Sequence, residues 1–196
     1  MTKKEVFDLL IMSNSHIFPI PGRPIGVTKI QVFLALKPIL KGKLYWQALI
    51  DAYSSSDNLF QYRWDVRYCF DSKEPHRIYL MTKEEQMFLK NLPDKVKIYR
   101  GMTKAEKESG YFGVSWTLRK KVAEFFCNDY GRNYDTRDEE KIVHWLLINK
   151  KDIIAVIQDR KEEEVIYINK MPIITYSVET KKERKKQTLS IKYKGK

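Results

Sequence analysis

Three short groups of polar residues in the second half of the chain lie beside apolar runs with the composition of β-strands. They are Tyr99-Arg100-Gly101, Ser115-Trp116-Thr117 and Glu162-Glu163-Glu164. Together they supply a guanidinium, a pair of hydroxyls and a pair of carboxylates. A guanidinium donates two parallel hydrogen bonds to a phosphate or carboxylate, whereas a carboxylate accepts protons or stabilises developing positive charge. These residue types are typical of a site that binds and transforms an anionic ligand.

The first two groups have ordinary structural interpretations as well as chemical ones. Arg100 follows a predicted strand, and Gly101 removes a side chain that would block a ligand, but a strand-end arginine before a turn glycine is common in isolation. Ser115 and Thr117 lie two residues apart and share one face of an extended segment, while Trp116 points to the core. Thr117 is also predicted to N-cap the helix that follows it.

The third group places Glu162 and Glu164 on one face at the entrance of the predicted strand Val165–Ile168. Two carboxylates in this arrangement repel each other, so a nearby cationic centre would stabilise them. A solvated acidic turn is the ordinary interpretation of three consecutive glutamates taken alone.

The elements that must position these groups begin with helices. Capping-box pairs precede three of them: Thr2 with Glu5, Thr28 with Gln31, and Thr82 with Glu85. The apolar residues that follow predict a helix to about residue 12, one from about residue 29 that Gly42 closes, and one over Lys83–Lys90. Leu44–Tyr53 is a further predicted helix. Residues 60–70 fit both a strand and a helix, and helix is favoured.

Beyond residue 95 the predicted elements are mostly strands. They cover residues 96–99, 112–115, 142–148, 153–157, 165–168 and 173–178, with one helix after Thr117 that Gly131 ends. Helices followed by strands predict an α+β fold in which N-terminal helices pack on a split, mixed β-core. The predicted regions are a helical region at 1–92, a β-rich catalytic region at 93–180 and a basic tail at 181–196.

Composition and charge restrict the class of protein. The 196 residues carry a formal charge of +12, and the tail at 181–196 holds eight basic residues against one acidic residue. Such a tail suits nucleic acid or another acidic partner, although a solubilising tail fits equally well. Cys69 and Cys127 are predicted to be buried free thiols. No apolar run approaches the roughly 20 residues of a membrane span, so we expect a soluble cytoplasmic protein without membrane contact.

Metal chemistry has little support in the sequence. The three histidines, His16, His76 and His144, are scattered along the chain. No spacing of Cys, His and carboxylate residues is typical of a zinc site, and no glycine-rich phosphate loop is present. We therefore expect no metal cofactor.

The three polar groups taken together resemble the R-S-E class of mono-ADP-ribosyltransferases. In that class a strand-end arginine, a Ser-x-Thr or Ser-Thr-Ser strand and a Glu-x-Glu loop occur in this order. The resemblance covers roughly residues 93–170, and the chain looks similar to small members from phages and other mobile elements. Ala52–Asn58 and Leu92-Pro93 also look similar to upstream elements of those members. Leu118 stands where some members carry a second serine.

The resemblance implies a fold of ADP-ribosyltransferase type with NAD as co-substrate. Arg100 would bind the NAD phosphates, Ser115 would orient the catalytic carboxylate, and Glu164 would hydrogen-bond the nicotinamide ribose and stabilise positive charge as nicotinamide leaves. Glu162 would accept a proton from the nucleophile, which in this class indicates a protein arginine as acceptor. The cofactor-binding set implied is Tyr99, Arg100, Gly101, Ser115, Trp116, Thr117 and Glu164. The run of three glutamates leaves Glu163 as an alternative to Glu164.

Two other functions stay open at this point. An NAD glycohydrolase would use water as the acceptor in the same site. A non-catalytic module on the same fold would bind nucleic acid through the basic tail. For a transferase, a host protein in the host cytoplasm is the acceptor that a phage or mobile-element origin suggests.

Overall fold

Among the described residues up to Asn91, the regular elements are helices, as the capping pairs predict. A computed structural model of the protein describes residues 2–14, 28–56, 59–128, 139–158 and 162–169. The helices in this part are α1 (Lys3–Asn14), α2 (Lys29–Leu36), α3 (Gly42–Ser54), α4 (Arg63–Phe70) and α5 (Lys83–Asn91). Short 3-10 turns at Leu59–Tyr62 and Arg77–Leu80 precede α4 and α5. The assignment of residues 60–70 to helix is therefore confirmed.

Local hydrogen bonds explain where these helices begin. The Thr82 N–H donates to the Glu85 carboxylate at 2.8 Å, and the Glu85 N–H donates to the Thr82 hydroxyl at 3.2 Å. Thr28 and Gln31 form the same arrangement at α2. The prediction for Gly42 is wrong, because this residue begins α3 and does not end α2. Its φ of +52° is accessible to glycine, and its N–H donates to Glu74 at 2.8 Å.

The remaining elements form a sheet with two helices. The strands are β1 (Lys95–Thr103), β2 (Ser115–Thr117), β3 (Lys141–Asn149), β4 (Ile153–Ile157) and β5 (Glu164–Tyr167). Helices α6 (Lys104–Ser109) and α7 (Lys120–Asn128) lie on either side of β2 in the chain. The strand order is β3-β1-β2-β5-β4, and every pairing between these described strands is antiparallel. The α+β class is confirmed, but the prediction of a mixed sheet is wrong for the described strands.

Two strands differ from their predicted bounds. Strand β1 continues through Arg100 and Gly101, because these residues pair with His144 and Val143 of β3. Arg100 therefore lies inside a strand and not at its end. Strand β2 begins at Ser115 and not at residue 112. The predicted strand at 173–178, Gly131 and the basic tail at 181–196 lie outside the described residues.

The sheet has a seam between β1 and β2. Nine residue pairs join β1 to β3, but the only backbone pair between β1 and β2 is Tyr99 with Thr117. A side chain reinforces this seam, since the Arg100 guanidinium donates to the Ser115 carbonyl at 2.8 Å. The sheet is thus divided into a β3-β1 part and a β2-β5-β4 part.

The link between β3 and β4 shows that the sheet bends sharply. These strands lie at opposite edges, so in a flat sheet about 19 Å would separate them, four strand spacings of about 4.8 Å. Only the three residues Lys150–Asp152 connect them, and such a link reaches about 14 Å when fully extended. The sheet must therefore bend so that its two edge strands approach each other.

One hydrophobic cluster connects the helices to the sheet. Its fully buried members include Trp46 and Phe70 from the helices and Ile98 and Ile166 from the strands. Burial of each such side chain contributes about 1.5–3 kcal/mol to the free energy of unfolding. The helices are thereby held against the strands that carry the three polar groups. No helix among the described residues is long and apolar enough to cross a membrane.

Candidate active site

All eight residues that the sequence singles out line one cleft at the seam. They are Tyr99, Arg100, Gly101, Ser115, Trp116, Thr117, Glu162 and Glu164. The cleft has a volume of about 220 Å³. Pockets that enclose a whole small ligand usually measure about 300–1,000 Å³. A dinucleotide would therefore place only part of its length inside this cleft and the rest over its rim.

One group of residues at the cleft, here called the Glu164 corner, consists of the carboxylate of Glu164 and two hydroxyls that bond to it. The Ser115 Oγ donates to Glu164 Oε1 at 2.5 Å, and the Tyr53 hydroxyl donates to the same oxygen at 2.6 Å. Ser115 belongs to β2 and Tyr53 to α3, so the two donors come from different elements of the fold. Burial and the neighbouring Glu164 carboxylate raise the pKa of Tyr53 well above its ordinary value. Tyr53 therefore remains a protonated hydrogen-bond donor over the physiological range.

The turn before Glu164 is fixed by contacts with the end of β2. The Thr117 hydroxyl donates to the Glu162 carbonyl at 2.6 Å, and the Leu118 N–H donates to the Glu163 carbonyl at 3.1 Å. Glu163 has a φ of +46°, a left-handed conformation that turns the chain between the two flanking glutamates. Glu162 and Glu164 line the cleft, whereas Glu163 does not. The geometry therefore favours Glu164 over Glu163 as the carboxylate beside Ser115.

Thr117 has a different role from the predicted helix cap. Helix α7 begins at Lys120, three residues later. The Thr117 hydroxyl instead accepts a hydrogen bond from the Arg119 N–H at 3.0 Å while it donates to the Glu162 carbonyl. The prediction of an N-cap is wrong, because Thr117 still belongs to β2 and pairs with Glu164.

A second group of residues in the cleft, here called the Arg100 corner, is built around an ion pair. Arg100 Nε donates to Glu106 Oε1 at 2.9 Å, and the same carboxylate oxygen accepts from the Gly113 N–H at 2.9 Å. The Arg100 side chain is only 22% exposed. A Cβ on Gly113 would lie against the guanidinium, so only glycine leaves room for it. The position of the Arg100 guanidinium is thus fixed by contacts with α6, with the segment before β2 and with the Ser115 carbonyl.

Position 101 requires glycine because the backbone of helix α7 passes close to it. A Cβ at this position would lie 2.5 Å from the Ala123 carbonyl oxygen and 2.8 Å from the Cys127 nitrogen. Both atoms belong to the backbone of α7, which cannot move away cheaply. The interpretation of Gly101 as space for a ligand is therefore incomplete, because the close approach that the structure shows is that of α7.

Trp116 is buried, as the alternation of β2 predicts. It is 2% exposed, and its ring packs against Phe112, His144 and Tyr167. Burial and the nearby charge of Lys107 lower the pKa of His144, which favours its neutral form in this apolar environment. Trp116 therefore supports the floor of the cleft and secures the position of Ser115 and Thr117 on either side.

The sequence interpretation missed two residues that shape the cleft. Tyr53 lies in a predicted helix and in the segment Ala52–Asn58 that resembles upstream elements of the family, but no role was predicted for it. Nothing local to it indicates a partner 111 residues later. Glu106 had a readable signal, because Thr103 with Glu106 has the spacing of a helix cap. The Glu106 N–H does donate to the Thr103 hydroxyl at 3.1 Å, which begins the unpredicted helix α6.

Within the described part of the chain, no cluster of three or more His, Cys, Asp or Glu side chains could hold a metal ion. Comparisons with protein-family models, with curated proteins and with solved structures gave no match for this chain. The function is therefore argued from the geometry of the cleft and the order of its motifs.

Proposed function

We propose that the protein is a mono-ADP-ribosyltransferase that cleaves NAD and transfers ADP-ribose to a protein arginine. The observation that carries this proposal is the position of Glu164, whose carboxylate is fixed by two hydroxyls in a cleft that also holds Arg100 and Glu162. Glycosidic cleavage of NAD develops positive charge on the ribose, and a carboxylate fixed beforehand stabilises that charge without reorganising during the reaction.

The proposed reaction divides its tasks among the residues of the cleft. The bond between the ribose C1′ and the nicotinamide nitrogen breaks, and its electron pair neutralises the pyridinium ring. Glu164 stabilises the cationic ribose, and a guanidinium nitrogen of the acceptor forms the new bond to C1′. Glu162, which also lines the cleft, accepts the proton that the guanidinium loses. The guanidinium of Arg100 attracts the pyrophosphate of NAD at the other corner.

Exposed aromatic residues at and near the rim of the cleft favour a macromolecule as the acceptor. Phe60 lines the cleft and is 50% exposed, and Arg63 stacks on its ring at 4.2 Å. Trp64 and Tyr68 continue the row of exposed rings along α4, at 39% and 66% exposure. Aromatic residues and arginine are enriched where proteins contact other proteins. Water as acceptor would need no such surface.

Labelled NAD provides the test of this proposal. The protein incubated with NAD and a lysate should release nicotinamide and label discrete protein bands. Glu164→Gln should reduce both activities by about 10²–10³-fold, the loss expected when a transition-state charge loses its partner. Glu163→Gln is the matched control, because it removes a neighbouring charge outside the cleft and should retain most activity. Equal losses in both variants would refute the role given to Glu164.

Glu162→Gln separates transfer from hydrolysis. This variant should lose labelling of arginine acceptors and retain some nicotinamide release, because ionisation of NAD needs Glu164 and not the acceptor's base. Nicotinamide release without labelled bands in the unmodified protein would identify a glycohydrolase. If neither activity occurs and NAD gives no thermal shift, the enzyme proposal fails. Salt-sensitive nucleic-acid binding that is lost on deleting residues 181–196 would then favour the binding module.

A further inference from the structure

We propose that Tyr53 is a positioning residue for Glu164, so that the N-terminal helical region completes the active site. This inference rests on the proposed function. The Tyr53 hydroxyl donates to Glu164 Oε1 at 2.6 Å from α3, while Ser115 donates to the same oxygen at 2.5 Å from β2. The described residues thus join the first and last thirds of the chain at a single carboxylate oxygen.

Two donors fix a carboxylate better than one. The terminal torsion of a glutamate side chain has a broad energy minimum, so a single hydrogen bond leaves the group able to swing. Ser115 reaches Oε1 from the sheet, and Tyr53 reaches it from the helical wall. Their different directions hold both the position of that oxygen and the plane of the carboxylate, which determines where the second oxygen meets a ligand.

Tyr53 is itself held firmly enough to perform this task. It is 8% exposed, and its ring packs edge-on against Phe70 with centroids 5.1 Å apart. A tyrosine has only two side-chain torsions, so packing of the ring fixes its hydroxyl. Helix α3 is in turn tied to α2, because the buried Lys29 ammonium contacts Asp51 at 3.0 Å and Ser55 at 3.2 Å.

The chemistry of the donors also suits the carboxylate. A hydroxyl that donates to a carboxylate favours its ionised form yet adds no positive charge. The two donors therefore orient the Glu164 carboxylate without bringing a cation to it. The charged groups that line the cleft with Glu164 are Arg100 from β1, Glu106 from α6, Lys141 from β3 and Glu162 from its own turn, and Tyr53 of α3 and Glu163 are the titratable groups bonded or adjacent to it.

Two tyrosines of α3 provide a matched experiment. Tyr53→Phe removes the hydrogen bond to Glu164 and retains the ring that packs on Phe70. Tyr45→Phe is the control, because the Tyr45 hydroxyl donates to the Cys69 carbonyl at 2.9 Å and the Tyr45 ring is also buried. Both variants lose one hydroxyl hydrogen bond from the same helix and retain the buried ring, so both should lose some stability. Only Tyr53→Phe removes a donor from the active site.

The expected result is a change in chemistry without a matching change in stability. In Tyr53→Phe the kcat for nicotinamide release should fall about tenfold or more, the equivalent of one hydrogen bond to a charged group. The KM for NAD should change by less than about twofold, and the acid limb of the pH–rate profile should move about one unit to higher pH. Tyr45→Phe should retain the wild-type kcat and pH profile.

Carbon-13 NMR of the Glu164 carboxyl tests the same inference without enzyme turnover. The Glu164 signal is assigned by its loss in Glu164→Gln, and its titration is followed in the full-length wild type and both tyrosine variants. Its midpoint should rise by about one pH unit in Tyr53→Phe alone. An unchanged midpoint would refute the positioning role, whether or not the protein turns over NAD. If the midpoint shifts but the protein releases no nicotinamide, the contact between Tyr53 and Glu164 is supported and the proposed function is refuted.

Discussion

The two corners of the cleft hold their charged groups in opposite ways. At the Arg100 corner the guanidinium meets the carboxylate of Glu106 at 2.9 Å, so charge is balanced by charge. At the Glu164 corner two neutral hydroxyls, from Ser115 and Tyr53, hold one carboxylate oxygen at 2.5 and 2.6 Å. An ion pair reduces the field that a ligand experiences from the two paired charges, whereas a hydroxyl donor orients a carboxylate without adding a charge of its own.

This difference indicates separate tasks for the two corners. The Arg100 guanidinium also donates to the Ser115 carbonyl across the seam of the sheet. Arg100 therefore holds together the two parts of the sheet as well as facing the cleft. Under the proposed function, the Glu164 corner would act electrostatically on the ligand, and the Arg100 corner would both bind the ligand and connect the two parts of the sheet. Three substitutions test this comparison.

Gly113→Ala should have the largest effect, because it moves Arg100 without changing any charge. The added Cβ would lie 2.8 Å from Arg100 Cζ, and the guanidinium would have to leave its seat. The φ of Gly113 lies outside the left-handed region, so the alanine itself fits the backbone. We expect nicotinamide release to fall about 10²-fold, as when a binding group shifts by about 1 Å. Wild-type kcat/KM in a folded variant would show that the position of Arg100 is unimportant.

Glu106→Gln should have a smaller effect in the opposite direction. A glutamine oxygen can still accept from Arg100 Nε and the Gly113 N–H, so the seat of the guanidinium is retained. The positive charge of Arg100 would no longer be balanced by a carboxylate, so it should attract the anionic ligand more strongly. We expect the KM for NAD to fall about fivefold, which corresponds to about 1 kcal/mol for a partly exposed ion pair. The gain should decrease as salt is added. A KM that is unchanged at every salt concentration would indicate that Arg100 does not contact the anionic part of the ligand.

Glu163→Gly should have the smallest effect and concerns stability alone. The φ of +46° at Glu163 costs a non-glycine residue about 1 kcal/mol, and the greater freedom of glycine in the unfolded chain offsets part of this. We expect the free energy of unfolding to rise by about 0.5 kcal/mol in urea denaturation. Glu163→Ala is the control, since it removes the same charge and retains the strained conformation. Equal stabilisation in both variants would attribute the gain to charge.

Features set by neighbours in sequence could be predicted well. The capping pairs Thr28/Gln31 and Thr82/Glu85 determine helix starts through bonds that span three residues. The three polar groups also line one cleft, because they lie on or directly before the neighbouring strands β1, β2 and β5. Local chemistry was sufficient for these features.

Features set by distant contacts could not be predicted. The run at 96–99 gave no sign that β1 continues to Thr103, because pairing with β3 extends it. The directions of the strands depend on pairings that no periodicity encodes, which explains the wrong prediction of a mixed sheet. The role of Tyr53 could not be predicted for the same reason, since its partner Glu164 lies far away in sequence.

The seam has a consequence for how this chain can vary. Backbone pairs between neighbouring strands fix the register of one strand against the next. A shift of this register by one residue moves every side chain of a strand to the opposite face of the sheet. Because a single pair joins β1 to β2, a length change in β1 and β3 need not alter the faces of β2, β5 and β4. The two parts of the sheet can therefore change length independently. The link at Lys150–Asp152 has no such freedom, since it is short enough to keep both parts folded together.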